Sequence, residues 1–240
     1  MITLNNHNKK VTKKNIPLGI VIDRSQSTED IQELLNNSIR SLVSELRKNK
    51  ELCNQVEILA IHYNEQATVV TEFTPLSQLE PTSLDIRCCD GATNTGQALL
   101  TAIDKLRAFE MLCKGRRERC TTPLLFLFTD GYPDPGQGAP AHIVRRCQQL
   151  YQNAASSIKS MEQNNSLYFC AAGIQQTDGS CADMEQLKLL TNHPDRIICV
   201  DNSETGANSI MRFCDMIRET AIAMSSATNP ENVVHAFFDL

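Results

Sequence analysis

An apolar run that ends on a carboxylate and two hydroxyls constrains the fold of this chain more than any other feature. Residues 18–22 (LGIVI) carry no polar side chain, and Asp23, Ser25 and Ser27 follow directly in the segment DRSQS. Such a run is typical of a buried parallel strand that ends in a polar loop. Open α/β sheets hold their ligands at that carboxyl edge. These oxygen side chains suit Mg²⁺ or Mn²⁺ better than Zn²⁺.

A second apolar run ends in the same way. Residues 123–128 (PLLFLF) lead into Asp130, which lies in the segment Thr-Asp-Gly. A Gly- and Thr-rich segment, residues 89–95 (CDGATNT), precedes a helix predicted over residues 95–109. Because the carboxyl ends of parallel strands meet at one edge of a sheet, we expect polar side chains from these segments to converge there.

The remaining periodicity predicts an α/β domain. Apolar residues at three- and four-residue steps predict helices over residues 28–48, 95–109, 141–163, 182–190 and 207–224. Strands are predicted over residues 17–22, 56–62, 67–73, 123–128, 166–172 and 196–200. The second and third are too close in sequence for a crossover helix, so we expect them to pair antiparallel. The fold class is therefore α/β: a doubly wound, Rossmann-like, mainly parallel six-stranded sheet with one antiparallel edge strand and helices on both faces.

The length of 240 residues suits one sizeable domain with short extensions. We predict a flexible N-terminal arm over residues 1–15, a folded domain over residues 16–224 and a C-terminal tail over residues 225–240. The apolar residues of the tail are consistent with a short docked helix.

Composition limits the partners and the compartment. The net charge of −5 argues against nucleic acid and against an acidic membrane surface. The N-terminus lacks the apolar stretch of a signal peptide, and no segment is long enough to span a bilayer, so we expect a soluble, cytoplasmic protein. The ten cysteines show neither disulfide-framework nor zinc-site spacing, which favours buried thiols in a reducing compartment.

The order of the polar motifs resembles the metal-ion-dependent adhesion site of the von Willebrand factor A domain family. The motif DxSxS follows the first strand, a threonine precedes a helix, and TDG follows the fourth predicted strand; the resemblance extends over residues 17–224. It implies that Mg²⁺ or Mn²⁺ is bound by Asp23, Ser25, Ser27, Thr93 and Asp130.

The resemblance also implies a role for each ligand. Ser25 and Ser27 would bind the metal directly, Thr93 directly or through water, and Asp23 and Asp130 would hold the water shell. Thr93 is preferred to Thr95 because the family's threonine ligand precedes its helix by a few positions.

Such a site implies metal-dependent protein recognition and no enzymatic activity. A glutamate or aspartate from another protein would complete the octahedral coordination of the ion. Residues 126–134 (FLFTDGYPD) make the chain most similar to the TerY-like tellurium-resistance proteins of bacteria. That similarity implies a cytoplasmic adaptor in a stress or metal-resistance system, with a kinase- or phosphatase-like partner.

Three other functions fit the sequence less well. A haloacid-dehalogenase-like phosphohydrolase needs a second acid where this chain has Ser25. A Rossmann nucleotide binder needs GxGxxG after the first strand, whereas the comparable glycines, Gly136 and Gly138, lie in a later proline-rich loop. A scaffold that has lost its metal differs from the preferred function only in its ion dependence.

Some residues also have simpler interpretations. Asp23, Ser25 and Ser27 are compatible with capping of the first helix, although the added Thr93 and Asp130 favour the metal site. Two departures from the family pattern, Arg24 and Gln26, put bulk and a positive charge beside the site, which would weaken metal affinity or alter partner choice. Asp134 is better explained as a turn residue between prolines than as an added charge. The five histidines show no paired spacing, which indicates surface or strand-packing roles.

Overall fold

The computed structural model describes residues 13–89, 91–130, 133, 135–136, 138–175, 182–200 and 204–226, with the backbone alone for residues 204–208. Most of the predicted arm and tail lie outside the described residues, and so does Asp134. None of the helices in the described ranges has the length and apolar character needed to cross a membrane.

The described strands form one mixed sheet. They are β1 (Lys14–Asp23), β2 (Val56–Tyr63), β3 (Ala67–Pro75), β4 (Arg119–Cys120), β5 (Leu124–Thr129), β6 (Tyr168–Ile174) and β7 (Ile197–Val200). The order is β3-β2-β1-β5-β6-β7, with β4 paired to β1. Only β2 and β3 pair antiparallel in the described sheet, so the predicted architecture is confirmed.

Two details of the sheet differ from the prediction. The described sheet has seven strands instead of six, because the two-residue β4 is too short to produce a periodic pattern. Lys14 and Asn15, which the sequence analysis assigned to the arm, pair with β4 and extend β1 beyond its predicted start at residue 17. This pairing is between segments distant in sequence, and local periodicity does not report it.

The described α-helices are α1 (Gln32–Lys48), α2 (Lys50–Gln55), α3 (Thr95–Arg116), α4 (Ala141–Gln163), α5 (Met184–Lys188) and α6 (Glu204–Ser226). The first predicted helix begins as a separate 3₁₀ turn, Gln26–Ile31. Local periodicity does not predict α2, whose N-cap Asn49 accepts bonds from the amides of the next turn. The helix α3 continues beyond its predicted end at residue 109, and Cys113 in the added turns is buried.

The helices cover both faces of the sheet. Side chains of α1 and α6 pack on one face, around Phe126, Phe128 and Phe213. The rings of Phe128 and Phe213 meet edge to face with centroids 4.9 Å apart. Side chains of α3, α4 and α5 pack on the opposite face. The alternation of strand side chains between these two cores gives the doubly wound arrangement.

The topology opens a crevice between β1 and β5. The chain passes from β1 to β2 and β3 on one side, then returns to β5 on the other side of β1. Ile22 of β1 lies opposite Phe128 of β5, so Asp23 and Asp130 emerge at the same edge of the sheet. This is the topological switch point, where open α/β sheets bind their ligands.

Candidate metal centre

The loop after β1 is a closely hydrogen-bonded turn. The Ser25 amide donates to Asp23 Oδ1 at 2.9 Å, and the hydroxyl and amide of Thr28 donate to the Ser25 carbonyl at 2.7 and 3.0 Å. The Ser25 and Ser27 hydroxyl oxygens are 3.1 Å apart. These bonds start the 3₁₀ turn and place both hydroxyls on one side of the loop.

A neighbouring segment holds this turn against the sheet. Arg24 donates its amide to the Tyr63 carbonyl at 2.8 Å and accepts from the Cys89 amide at 3.0 Å. Ser25 and Cys89 form an isolated parallel bridge. The DxSxS turn is therefore fixed from both sides before any ligand binds.

Two buried carboxylates lie together at this edge. Asp23 is fully buried and Asp130 is 4% exposed. Burial first, and then the charge of Asp130, raise the pKa of Asp23 to about 7, although hydrogen bonds from Ser25 and Thr129 act in the opposite direction. The Thr129 hydroxyl donates to Asp23 Oδ2 at 3.0 Å. The site therefore concentrates negative charge away from water.

Thr93 lies in the segment before α3 and is buried. The following residue, Asn94, donates its amide to the Asn64 carbonyl at 2.8 Å and caps α3 by accepting from the Gln97 amide at 3.2 Å. Within the described residues, the Thr93 hydroxyl has no hydrogen-bond partner. Thr95, by contrast, is the first residue of α3 and accepts from the Tyr63 hydroxyl at 3.4 Å.

Comparison with known proteins identifies the family. The von Willebrand factor type A domain model matches residues 18–212, most of the chain. The chain belongs to the von Willebrand factor type A (VWA) domain family. VWA domains mediate protein–protein interactions and are generally not enzymes. None of the curated proteins compared with the chain matches it.

Several solved structures share this VWA fold. The pilus adhesin SpaC from Lactobacillus rhamnosus GG superposes with a TM-score of 0.65 at 14% identity, over 88% of this chain and 31% of its own. The PilB minor pilin from Streptococcus sanguinis gives 0.57 at 13% identity, over 87% and 62%. Proximal thread matrix protein 1 from the mussel byssus, with a zinc-occupied MIDAS motif, gives 0.52 at 12% identity, over 86% and 49%. This chain thus spans between about a third and two thirds of these proteins, and at such identities the likeness shows the fold alone.

The residues of this VWA domain fit a divalent cation. Asp23, Ser25, Ser27 and Asp130 supply only oxygen donors, which is the chemistry of Mg²⁺ and Mn²⁺ sites. The two buried carboxylates repel each other, and a bound cation would neutralise their negative charge. The described residues contain no group of three or more His, Cys, Asp and Glu side chains that could hold a metal, and the donor set here combines two carboxylates with two hydroxyls.

Two residues that the sequence pattern does not predict, Thr129 and Tyr63, support the VWA site. Thr129 holds Asp23 Oδ2, and its position beside Asp130 in the TDG segment could have indicated this role. Tyr63, at the end of β2, is fully buried; burial and the charge of Asp23 raise its pKa well above the usual range. No pattern in the sequence brings Tyr63 to Asp23, because their proximity follows from the pairing of β1 with β2.

Proposed function

We propose that this VWA domain is a metal-ion-dependent protein-interaction module. Asp23, Ser25, Ser27, Thr93 and Asp130 hold Mg²⁺ or Mn²⁺, and an aspartate or glutamate of a protein partner completes the coordination. The observation that carries the proposal is the pair of hydroxyls 3.1 Å apart beside two buried carboxylates at the switch point.

Different groups of the protein have different roles in this site. The bond from the Ser25 amide to Asp23 Oδ1 keeps the carboxylate and the two serine hydroxyls in one turn. Thr129 fixes the second oxygen of Asp23. The metal supplies the positive charge that attracts a partner's carboxylate. Binding is the function that this arrangement supports, because the Asp23 carboxylate and the Ser25 and Ser27 hydroxyls bring oxygen ligands together in one turn.

The biological setting follows from the motif resemblance. We place the protein in the cytoplasm of a bacterium, as a TerY-like adaptor for a kinase- or phosphatase-like partner in a stress or metal-resistance system. Residues 126–134 support the TerY-like assignment. The nine cysteines in the described part of the chain form no disulfide with one another, which is compatible with a reducing compartment. The adhesin and pilin among the structural relatives support a role in protein contact.

Calorimetric titration of Mg²⁺ and Mn²⁺ into metal-stripped protein tests the proposal. We expect saturable binding to the wild type and none to the double variant Ser25→Ala, Ser27→Ala. The matched control is Ser41→Ala, Ser44→Ala, which removes two exposed serines of α1 and should bind as the wild type does. Equal binding by the two double variants would show that the metal lies elsewhere.

A further inference from the structure

A groove of about 410 Å³ lies between α4 and α5, on the face of the sheet opposite α1 and α6. Its walls include Gln148, Tyr151 and Gln152 of α4 and Gln186 of α5. The Tyr151 hydroxyl donates to the Gln186 carbonyl at 2.7 Å and thereby ties the two helices together. The groove is therefore formed before any ligand arrives.

The described lining of this groove is neutral. None of the lining residues that the structure describes carries a formal charge at pH 7, although charged residues make up 21% of the chain. Leu189, at its edge, is 51% exposed, although large apolar side chains are usually buried. The groove therefore favours an uncharged ligand with an apolar side chain.

Three side-chain amides specify the ligand further. Gln148, Gln152 and Gln186 make no side-chain hydrogen bond to any described residue. Gln148 and Gln152 are four residues apart on α4, so they share one face and are separated by about 6 Å along the axis. An extended peptide repeats its backbone groups on one side every ~6.7 Å. The two glutamines therefore match the spacing of an extended backbone, which offers the donors and acceptors that a primary amide pairs with.

The groove lies beside the proposed metal site. Pro133, one of its lining residues, is three residues after Asp130 and so lies within about 11 Å of it. On the other side, α4 crosses the start of α3 so closely that a Cβ on Gly96 would be 2.4 Å from the Tyr151 amide nitrogen. Gly96 is three residues after Thr93 and lies against Tyr151, which lines the groove. The Thr93 segment is therefore close to the groove.

We propose that this groove binds an extended, uncharged segment of the same partner chain whose carboxylate reaches the metal. The inference rests on the proposed function and adds a second specificity element to it. Along α4, the lining from Gln148 to Ala155 covers about 10 Å, which corresponds to about three extended residues. The partner motif is thus an acidic residue joined by a short spacer to a neutral stretch with one apolar side chain.

A displayed library of random peptides that carry one fixed glutamate provides the probe. Peptides are selected on the full chain in Mg²⁺, and the affinity of the best synthetic peptide is measured by fluorescence anisotropy. The test variant is Gln148→Ala, Gln152→Ala. The control is Gln149→Ala, since Gln149 is an exposed neighbour whose amide donates to Asn153 Oδ1 and does not line the groove.

The inference predicts that selected peptides carry neutral residues at a fixed distance from the glutamate. We expect about tenfold weaker binding to the double variant, from the loss of two hydrogen bonds, and unchanged binding to the control. Equal affinity for all three proteins, or a selection that returns no binding peptide, overturns the inference.

The same peptide separates this inference from the proposed function. If peptide binding is lost in Ser25→Ala, Ser27→Ala but is unchanged in Gln148→Ala, Gln152→Ala, the proposed metal function stands and the proposed groove is wrong. If peptide binding depends on Gln148 and Gln152 but persists in the serine variant and after metal removal, the proposed metal function is wrong. The partner motif that joins an acidic residue to a neutral stretch is then wrong as well.

Discussion

Two buried carboxylates at opposite ends of the sheet have different surroundings. Glu57, at the start of β2, is 8% exposed and accepts from Lys13 Nζ at 2.8 Å. Asp23, at the end of β1, is fully buried, and its oxygens accept from the neutral Ser25 amide and Thr129 hydroxyl. Burial, and then the charge of its neighbour Asp130, raise the pKa of Asp23. Glu57 has a counterion within the chain, whereas Asp23 lies where a cation from solution would be stabilised.

The largest expected effect comes from the helix crossing that supports the carboxyl-end site. In Gly96→Ala the new Cβ would overlap the α4 backbone at Tyr151, which cannot move like the end of a side chain. We expect a loss of about 3 kcal/mol in the free energy of unfolding, measured by urea denaturation. Gly115→Ala in the same helix has open space and should be neutral or up to about 1 kcal/mol more stable. Similar losses in both variants would contradict the close crossing.

Removal of the metal, or of the Asp130 charge, tests the site around Asp23 directly. At a Mg²⁺ concentration about 100 times its dissociation constant, we expect about 2.7 kcal/mol of stabilisation in the wild type and none in Asp130→Asn. Without metal, at pH 8, Asp130→Asn should be about 1 kcal/mol more stable than the wild type, because the repulsion on Asp23 is removed. Asp215→Asn, at an exposed aspartate of α6, is the control. A less stable metal-free Asp130→Asn would show that Asp130 is not a source of repulsion.

His62 is a further buried ionisable group, near the carboxyl end of β2. Burial, more than any other cause, lowers its pKa to about 4, and its Nε2 lies 3.1 Å from the Leu84 carbonyl. The unfolded chain, with a histidine pKa near 6.5, takes up the proton first as the pH falls. Stability is therefore retained above about pH 6.5 and lost between about 6.5 and 4.

Between pH 7 and pH 4.5, the free energy of unfolding should fall by about 2 kcal/mol less in His62→Gln than in the wild type. Denaturation at the two pH values measures this difference. His142→Gln, at an exposed position of α4, should leave the pH slope of the wild type in place. If the slopes of the two variants coincide, His62 is not the group that titrates.

The smallest effect is expected at the Glu57 end. Lys13→Met removes the cation but keeps an apolar stem, and should cost about 1 kcal/mol because the Lys13 side chain is 45% exposed. Lys48→Met breaks a more exposed pair with Glu45 and should cost less than about 0.5 kcal/mol. Mg²⁺ should stabilise both variants as it does the wild type. A loss of metal binding in Lys13→Met would remove the distinction between the two ends.

Much of the fold was predictable because its signals are local. The apolar run before Asp23 predicted a buried strand, and the bounds of α4 were predicted correctly from its periodicity. The short spacing between β2 and β3 predicted their antiparallel pairing. By contrast, β4 and α2 were missed, because one depends on a distant pairing partner and the other on a single capping side chain.

The sequence by itself determined the strand-helix order and the oxygen chemistry of the candidate ligands, since both follow from residue types at short spacing, and the order of its polar motifs carries the resemblance to the VWA family. Only the tertiary structure decided that Asp23 and Asp130 are buried together, that Thr129 and Tyr63 surround them, and that a neutral groove adjoins them. Desolvation and repulsion depend on distances between segments more than a hundred residues apart, and such distances are fixed only when the strands pair and the helices pack.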